Sequence, residues 1–102
     1  NAIIISKEAD LNIAILGALF GAVGTAGQRC TTTRRLIIHE DIYETVKNKL
    51  VAAYQQLKIG DPLDQQNHVG PLIDQDAVKM CLDAIASCKN EGGRFVVEAG
   101  VM

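Results

Sequence analysis

An apolar stretch of helical length lies between two short runs rich in isoleucine, and this order constrains the fold most. The first run, Ala2–Ile5, lacks polar alternation, which predicts a strand buried on both faces. A second strand is predicted over Thr32–Ile38. Strand, helix and strand in this order form a βαβ unit, in which the two strands are parallel. The sequence therefore predicts an α/β fold built on a parallel sheet.

The helix between the strands is predicted from Leu11 to Val23 and begins after Asp10, whose carboxylate can accept hydrogen bonds from the first free amides. It is apolar nearly all round, so we expect it to lie inside a larger protein. Gly17 and Gly21 are one turn apart and would let another backbone approach closely. Alternatively, they only weaken the helix, by about 1 kcal/mol each relative to alanine.

The rest of the chain predicts two more helices and a third strand. An amphipathic helix is expected from Asp41 to Leu57, followed by a turn-rich loop over Gly60–His68. Asp74 opens the next helix, which Gly92-Gly93 ends. Arg94–Glu98 is the third predicted strand, so the whole chain reads as a βαβαβ-type segment. The apolar face of the amphipathic helix is formed by Ile42, Val46, Leu50, Ala53 and Leu57.

Cys30 lies on the loop between the apolar helix and the second strand. Gly24 and Gly27 can take backbone angles that other residues avoid, so this loop can turn sharply and leave amide N–H groups free for an oxyanion. Nearby positive charge lowers the pKa of a thiol and favours the nucleophilic thiolate. Three arginines lie close in sequence: Arg29, Arg34 and Arg35. The pattern predicts a nucleophilic thiol; the alternative is a buried, unreactive small side chain.

The other candidate groups are weaker. His39 could be proposed as a general base for Cys30, but a full extended strand separates them by roughly 25 Å or more along the chain. His68 is expected on the surface. Asp61 and Asp64 could form a carboxylate pair, yet no third ligand accompanies them, so no metal site is predicted.

Composition excludes several classes of protein. Ten basic residues stand against twelve acidic ones, with no basic run and no tryptophan, so neither nucleic acid nor an anionic membrane is an expected partner.

The longest apolar run, from Ile13 to Val23, is about half of a bilayer span. We therefore expect a soluble protein. No signal peptide is visible at Asn1, and we expect the chain to be a segment of a longer protein.

The three cysteines form no paired pattern. This predicts reduced thiols in an intracellular compartment, the cytoplasm or alternatively an organelle. Cys81 and Cys88 are seven residues apart on one side of a predicted helix, together with Val78, Leu82 and Ile85. That spacing favours core packing over a zinc site or a disulfide.

The motif Gly27-Gln28-Arg29-Cys30-Thr31 resembles the catalytic-cysteine region of the NAD(P)-dependent aldehyde dehydrogenase superfamily. Within it the chain is most similar to the antiquitin-like branch, the α-aminoadipic semialdehyde dehydrogenases of lysine catabolism. The likeness spans essentially all 102 residues. The stretches that carry it are Asn1–Ile4, Ala9–Leu11, Ala22–Thr32, Arg34–Leu36, His39-Glu40 and Gly70–Leu72.

The resemblance implies a role for three neighbouring residues. Cys30 would attack the aldehyde carbonyl to form a thiohemiacetal, hydride would pass to NAD or NADP, and water would hydrolyse the thioester. The amide of Cys30 would help to hold the oxyanion. Arg29 would bind the carboxylate end of the substrate, for which a guanidinium fork is well suited, and Thr31 would contact the substrate. Arg29 alternatively only tunes the thiol or pairs structurally.

The resemblance also implies that residues 1–102 are part of a catalytic domain, whereas the Rossmann cofactor domain and the general-base glutamate lie outside this chain. The segment alone is then expected to be inactive, and the whole protein to act on a small-molecule aldehyde as a homodimer or homotetramer. No cofactor-binding residue is assigned within the chain. The neighbouring possibilities are betaine-aldehyde and general aliphatic aldehyde dehydrogenases.

Two readings from other classes stay open. One is a non-catalytic α/β packing or oligomerisation segment with inert thiols. The other, a stand-alone thiol redox protein, ranks last because the chain has no Cys-x-x-Cys motif and no resolving partner near Cys30.

Overall fold

A computed structural model of the chain describes residues 1–96. The chain divides into two compact units, Asn1–Pro71 and Leu72–Met102. The first unit contains strand β1 (Ala2–Ile5), helix α1 (Leu11–Val23), strand β2 (Arg35–Ile38) and helix α2 (Tyr43–Gln55). The second unit contains helix α3 (Gln75–Asn90).

The two strands form a parallel ladder in which Ala2 is opposite Arg35 and Ile5 is opposite Ile38. This confirms the predicted α/β class and the parallel βαβ unit. β2 is shorter than predicted, because Thr32–Arg34 belong to the loop that precedes it.

One face of this sheet covers the core. Ile5 is only 2% exposed and packs with Ile15 of α1 and Val46 of α2, which are 8% and 0% exposed. On the other face, the paired residues Ile4 and Ile37 are 76% and 57% exposed. The prediction that β1 is buried on both faces is therefore wrong for the described chain, because α1 and α2 cover only one of them.

Helix α1 has the predicted bounds and cap. The Asp10 carboxylate accepts a hydrogen bond of 3.0 Å from the amide of Asn12. Ile15 and Ala18 are buried, whereas the opposite side of the helix exposes Ile13 and Phe20 by 71% and 68%. Its burial inside a larger protein stays a prediction. Among residues 1–96, no helix combines the length and the apolar character that crossing a bilayer requires.

Helix α2 is shorter at both ends than the predicted Asp41–Leu57. Residues Glu40–Ile42 form a 3-10 turn before it, and the Leu57 amide bonds to the Tyr54 carbonyl at 3.2 Å in a tight last turn. Val46 is fully buried, and three other residues of the predicted apolar face, Ile42, Leu50 and Ala53, pack around it. The fifth, Leu57, lies beyond the end of the helix.

Helix α3 begins and ends where the sequence predicts. The Asp74 carboxylate accepts from the Ala77 amide at 2.8 Å. Gly92 takes a φ of 91° after the helix, and the Gly93 amide donates to the Cys88 carbonyl at 2.8 Å. The stop at Gly92-Gly93 is therefore confirmed.

The predicted inner side of α3 is only partly present. Val78 and Ile85 are half-buried, whereas Cys81, Leu82 and Cys88 are exposed. Core packing of the two thiols is thus wrong for the described chain, because no apolar partner covers them within residues 1–96.

The third strand, predicted over Arg94–Glu98, is also absent where it can be described. Residues 94–96 are not in a strand, and the Phe95 ring lies 5.3 Å from the Lys89 ammonium nitrogen. Val97 and Glu98 lie outside the described residues.

Candidate active site

Cys30 and Thr31 occupy the two central positions of a β-turn that runs from Arg29 to Thr32. The turn is closed by a hydrogen bond of 3.1 Å from the Thr32 amide to the Arg29 carbonyl. Cys30 is a free thiol and is exposed. Within residues 1–96 the thiol is thus exposed and not buried, while its reactivity stays a prediction.

The side chain of Thr32 closes the same turn a second time. Its Oγ1 accepts a hydrogen bond of 3.1 Å from the Arg29 amide, and the residue is only 5% exposed. Sequence reasoning missed Thr32. Its signal was a hydroxyl three residues after Arg29 in a glycine-rich loop, since threonine often bonds to nearby backbone in turns.

The two backbone amides at the tip of the turn have no hydrogen-bond acceptor among the described residues. Within residues 1–96, neither the Cys30 N–H nor the Thr31 N–H donates a hydrogen bond. An exposed thiol beside unengaged amides is an arrangement that can hold a carbonyl oxygen as it gains negative charge.

The loop before the turn is left-handed at three successive residues: Thr25, Ala26 and Gly27 have φ values of 52°, 56° and 72°. Gly27 is thus needed for its backbone angle, as predicted. Gly24 is not, because its φ is −53°. The guanidinium of Arg29 lies close to Gly24, so a Cβ there would require this side chain to shift.

Arg29 turns back onto the end of α1. Its Nη2 lies 3.5 Å from the Phe20 carbonyl oxygen, and its Cζ lies 5.2 Å from the centre of the Phe20 ring. The Nε atom is buried without a hydrogen-bond partner. No carboxylate of the described residues pairs with this guanidinium, so its charge is not compensated within residues 1–96.

The other two arginines lie in the loop before β2 and in β2 itself. Arg34 donates from Nη1 to the Thr32 carbonyl at 3.2 Å, and Arg35 lies in β2. Both line a cavity of about 170 Å³ between α1, β2 and α2. Tyr54 also lines it, and burial raises the pKa of its hydroxyl. Cys30 is not one of the lining residues, so this cavity is separate from the thiol.

The remaining candidate side chains, two histidines and two aspartates, accept hydrogen bonds from backbone amides. Nδ1 of His39 accepts from the Asp41 amide at 3.1 Å, and Nδ1 of the exposed His68 accepts from the Lys58 amide at 3.0 Å. The carboxylates of Asp61 and Asp64 each accept from an amide two residues later, at 2.9 Å. In the part of the chain that is described, no cluster of three or more histidine, cysteine or acidic side chains could hold a metal ion.

Comparison with known proteins finds a match to the aldehyde dehydrogenase family model over residues 1–101. The chain is 50% identical, over its whole length, to an α-aminoadipic semialdehyde dehydrogenase of Bos taurus, of which it covers 19%. It therefore spans about a fifth of the length of that relative.

Solved structures agree with the sequence match. A glyceraldehyde-3-phosphate dehydrogenase of Methanocaldococcus jannaschii, complexed with NADP, superposes with a TM-score of 0.96 at 28% identity, covering 100% of this chain and 22% of that one. A betaine aldehyde dehydrogenase of Staphylococcus aureus, in complex with NAD⁺, gives 0.94 at 27% identity, covering 95% and 19%.

Proposed function

The chain belongs to the aldehyde dehydrogenase family, and we propose that it carries the nucleophilic cysteine, Cys30, of an enzyme that oxidises a semialdehyde to a carboxylate. One observation supports this most: an exposed thiol at the tip of a clamped turn, next to backbone amides that have no other acceptor within residues 1–96. The whole protein's activity is part of the proposal, because the chain covers about a fifth of its relative.

The proposed chemistry begins at the sulfur of Cys30. The thiolate adds to the aldehyde carbon, and the carbonyl oxygen becomes an oxyanion that the Cys30 amide can bind. The resulting thiohemiacetal loses hydride to become a thioester, and water then cleaves the thioester to release the carboxylate and restore the thiol. Cys30 is thus regenerated in each cycle.

We propose NAD or NADP as the hydride acceptor, since the two structural relatives are complexed with NADP and NAD⁺. The nicotinamide ring supplies the oxidation when bound. The described residues do not fit a site for it: the connection from β1 to α1, residues 6–10, contains no glycine, and a dinucleotide-binding turn needs glycine where the backbone meets the pyrophosphate. We assign no cofactor-binding residue in this chain, and the proposed Rossmann domain lies outside it.

We further propose that the substrate carries a carboxylate, as α-aminoadipic semialdehyde does. Arg29 supports this, because it directly precedes Cys30 and no acidic side chain of residues 1–96 neutralises it. A partly buried guanidinium attracts a carboxylate and repels a quaternary ammonium group, which argues against betaine aldehyde. Thr31, exposed beside the thiol, is the second proposed substrate contact.

The substrate proposal is tested on the full-length enzyme by comparing kcat/KM for an acidic semialdehyde and for a neutral aldehyde of equal chain length. We expect Arg29→Ala to lower kcat/KM for the acidic substrate by about tenfold or more, in line with a lost charge-assisted hydrogen bond, and to leave the neutral one within about threefold. Equal losses for both substrates would mean that Arg29 only tunes the thiol or supports the loop.

Assembly into a homodimer or homotetramer, a cytoplasmic location and the extent of the catalytic domain stay predictions. The alternative is a non-catalytic packing or oligomerisation segment with inert thiols. It predicts equal, slow modification of all three cysteines by iodoacetamide.

A further inference from the structure

We propose that Thr32 is a positioning residue, which fixes the turn so that the Cys30 thiol and the Cys30 amide face the same carbonyl group. The inference rests on the proposed function and extends it to a buried residue beside the thiol turn. It is carried by two hydrogen bonds with Arg29, through which the amide and the hydroxyl of Thr32 both close the turn.

Four contacts hold Thr32 in place. Its amide donates to the Arg29 carbonyl at 3.1 Å, and its hydroxyl oxygen accepts from the Arg29 amide at 3.1 Å. Its carbonyl accepts from Nη1 of Arg34 at 3.2 Å. The same carbonyl accepts from the amino group of Asn1 at 3.5 Å. Thr32 is also the only polar residue that is buried within residues 1–96, at 5% exposure.

The two bonds between Arg29 and Thr32 run in opposite directions and enclose the tip of the turn. Cys30 and Thr31 lie between them and make no hydrogen bond of their own among the described residues. The position of the thiol is therefore set by its flanking residues. If the Thr32 hydroxyl is removed, the part-buried Arg29 amide loses its acceptor, and only one bond closes the turn.

A thiol must lie about 3–3.5 Å from the carbonyl carbon before it reacts, and a misplacement of about 1 Å can lower a rate by about a hundredfold. A loosened turn should therefore slow attack by Cys30 more than it weakens substrate binding. This separates a positioning role from a binding role, because kcat falls while KM changes little.

The test compares Thr32→Val with Thr32→Ser in the full-length enzyme. Valine keeps the shape of threonine and lacks the hydroxyl; serine keeps the hydroxyl. We expect Thr32→Val to lower kcat by about ten- to a hundredfold with KM within about threefold, and to slow alkylation of Cys30 by iodoacetamide to a similar degree. Thr32→Ser should stay within about threefold of the wild type in both measurements.

Thr45→Val on the exposed side of α2 is the matched control and should change neither rate. Cys81 and Cys88 are exposed in the described chain, and their labelling in the same samples is the internal standard, because a positioning role of Thr32 predicts slower modification at Cys30 alone. If Thr32→Val is insoluble, Thr32→Ala replaces it, because alanine also lacks the hydroxyl.

Two results would overturn the proposal: Thr32→Val reacting like the wild type, or Thr32→Ser reacting as slowly as Thr32→Val. Failure of the proposed function looks different. In that case Cys30→Ala retains aldehyde oxidation, or the wild type oxidises no aldehyde, while the labelling rates of the Thr32 variants still decide whether the hydroxyl positions the thiol.

Discussion

At the scale of single residues, the backbone before Cys30 is under local strain. Thr25 and Ala26 have φ values of 52° and 56°, in a region that costs a residue with a Cβ about 1–2 kcal/mol. Gly27 has the same handedness at 72° without that cost. A hydrogen bond of 3.1 Å from the Gln28 amide to the Thr25 carbonyl spans this left-handed segment and helps to hold its shape.

This strain predicts opposite effects for two small substitutions. Gly27→Ala should destabilise the full-length protein by about 1–2 kcal/mol, because the added methyl group meets nothing closer than the Ala22 carbonyl oxygen at 3.5 Å and the cost is one of backbone angle alone. Ala26→Gly should be neutral or stabilising by up to about 1 kcal/mol, since relief of strain exceeds the added chain entropy. Thermal unfolding midpoints rank the two; the reverse order would contradict these backbone angles.

Sequence reasoning found the residues with distinctive chemistry and missed the one that is held by burial. Cys30 and Arg29 stand out because a thiol and a guanidinium are unusual beside glycines. Thr32 looks like either of its threonine neighbours in sequence. Only the fold shows that its hydroxyl points back to the Arg29 amide, since burial depends on contacts that no local pattern encodes.

At the scale of the elements, α1 and the loop after the turn meet at Gly21. The Thr33 amide donates to the Gly21 carbonyl at 2.9 Å, and a Cβ on Gly21 would lie 2.6 Å from the Thr33 hydroxyl oxygen. The close approach predicted from the glycine pair therefore occurs at Gly21. Gly17 has nothing within 4 Å of that point in the described chain.

The two glycines should respond differently to alanine. Gly21→Ala forces Thr33 to move and should destabilise the protein by about 1–3 kcal/mol. Gly17→Ala adds a helix-favouring methyl group at a point with nothing within 4 Å among residues 1–96, so it should destabilise by less than Gly21→Ala. Both are measured as shifts of the unfolding midpoint of the full-length protein, with each variant the control for the other. Equal shifts would mean that Gly21 is not in contact with the loop.

The ends of helices could be predicted from the sequence, because caps and glycine stops act within a few residues. Asp10, Asp74 and Gly92 each fix an end of a helix through a bond or a backbone angle that the local sequence determines. The first residue of β2 and the exposure of Cys81 could not be predicted from the sequence. Both depend on which partner covers a segment, and periodicity reports only that a face is apolar.

At the scale of the whole molecule, the chain has a small core and much uncovered apolar surface. Ile5, Ile15 and Val46 form the buried cluster, while Ile4 and Ile13 are more than two-thirds exposed at 76% and 71%. The chain spans about a fifth of its relative, and the described part of it contains the βαβ unit and the turn that carries Cys30.

The most direct test of the central claim is the rate at which iodoacetamide modifies each cysteine of the full-length protein at neutral pH, followed by peptide mass spectrometry. All three thiols of the described chain are exposed, so exposure alone predicts similar rates. If Cys30 is the nucleophile, it should react about tenfold or more faster than Cys81 and Cys88, and its modification should abolish aldehyde oxidation. Equal, slow modification of all three, with oxidation retained, would contradict the account.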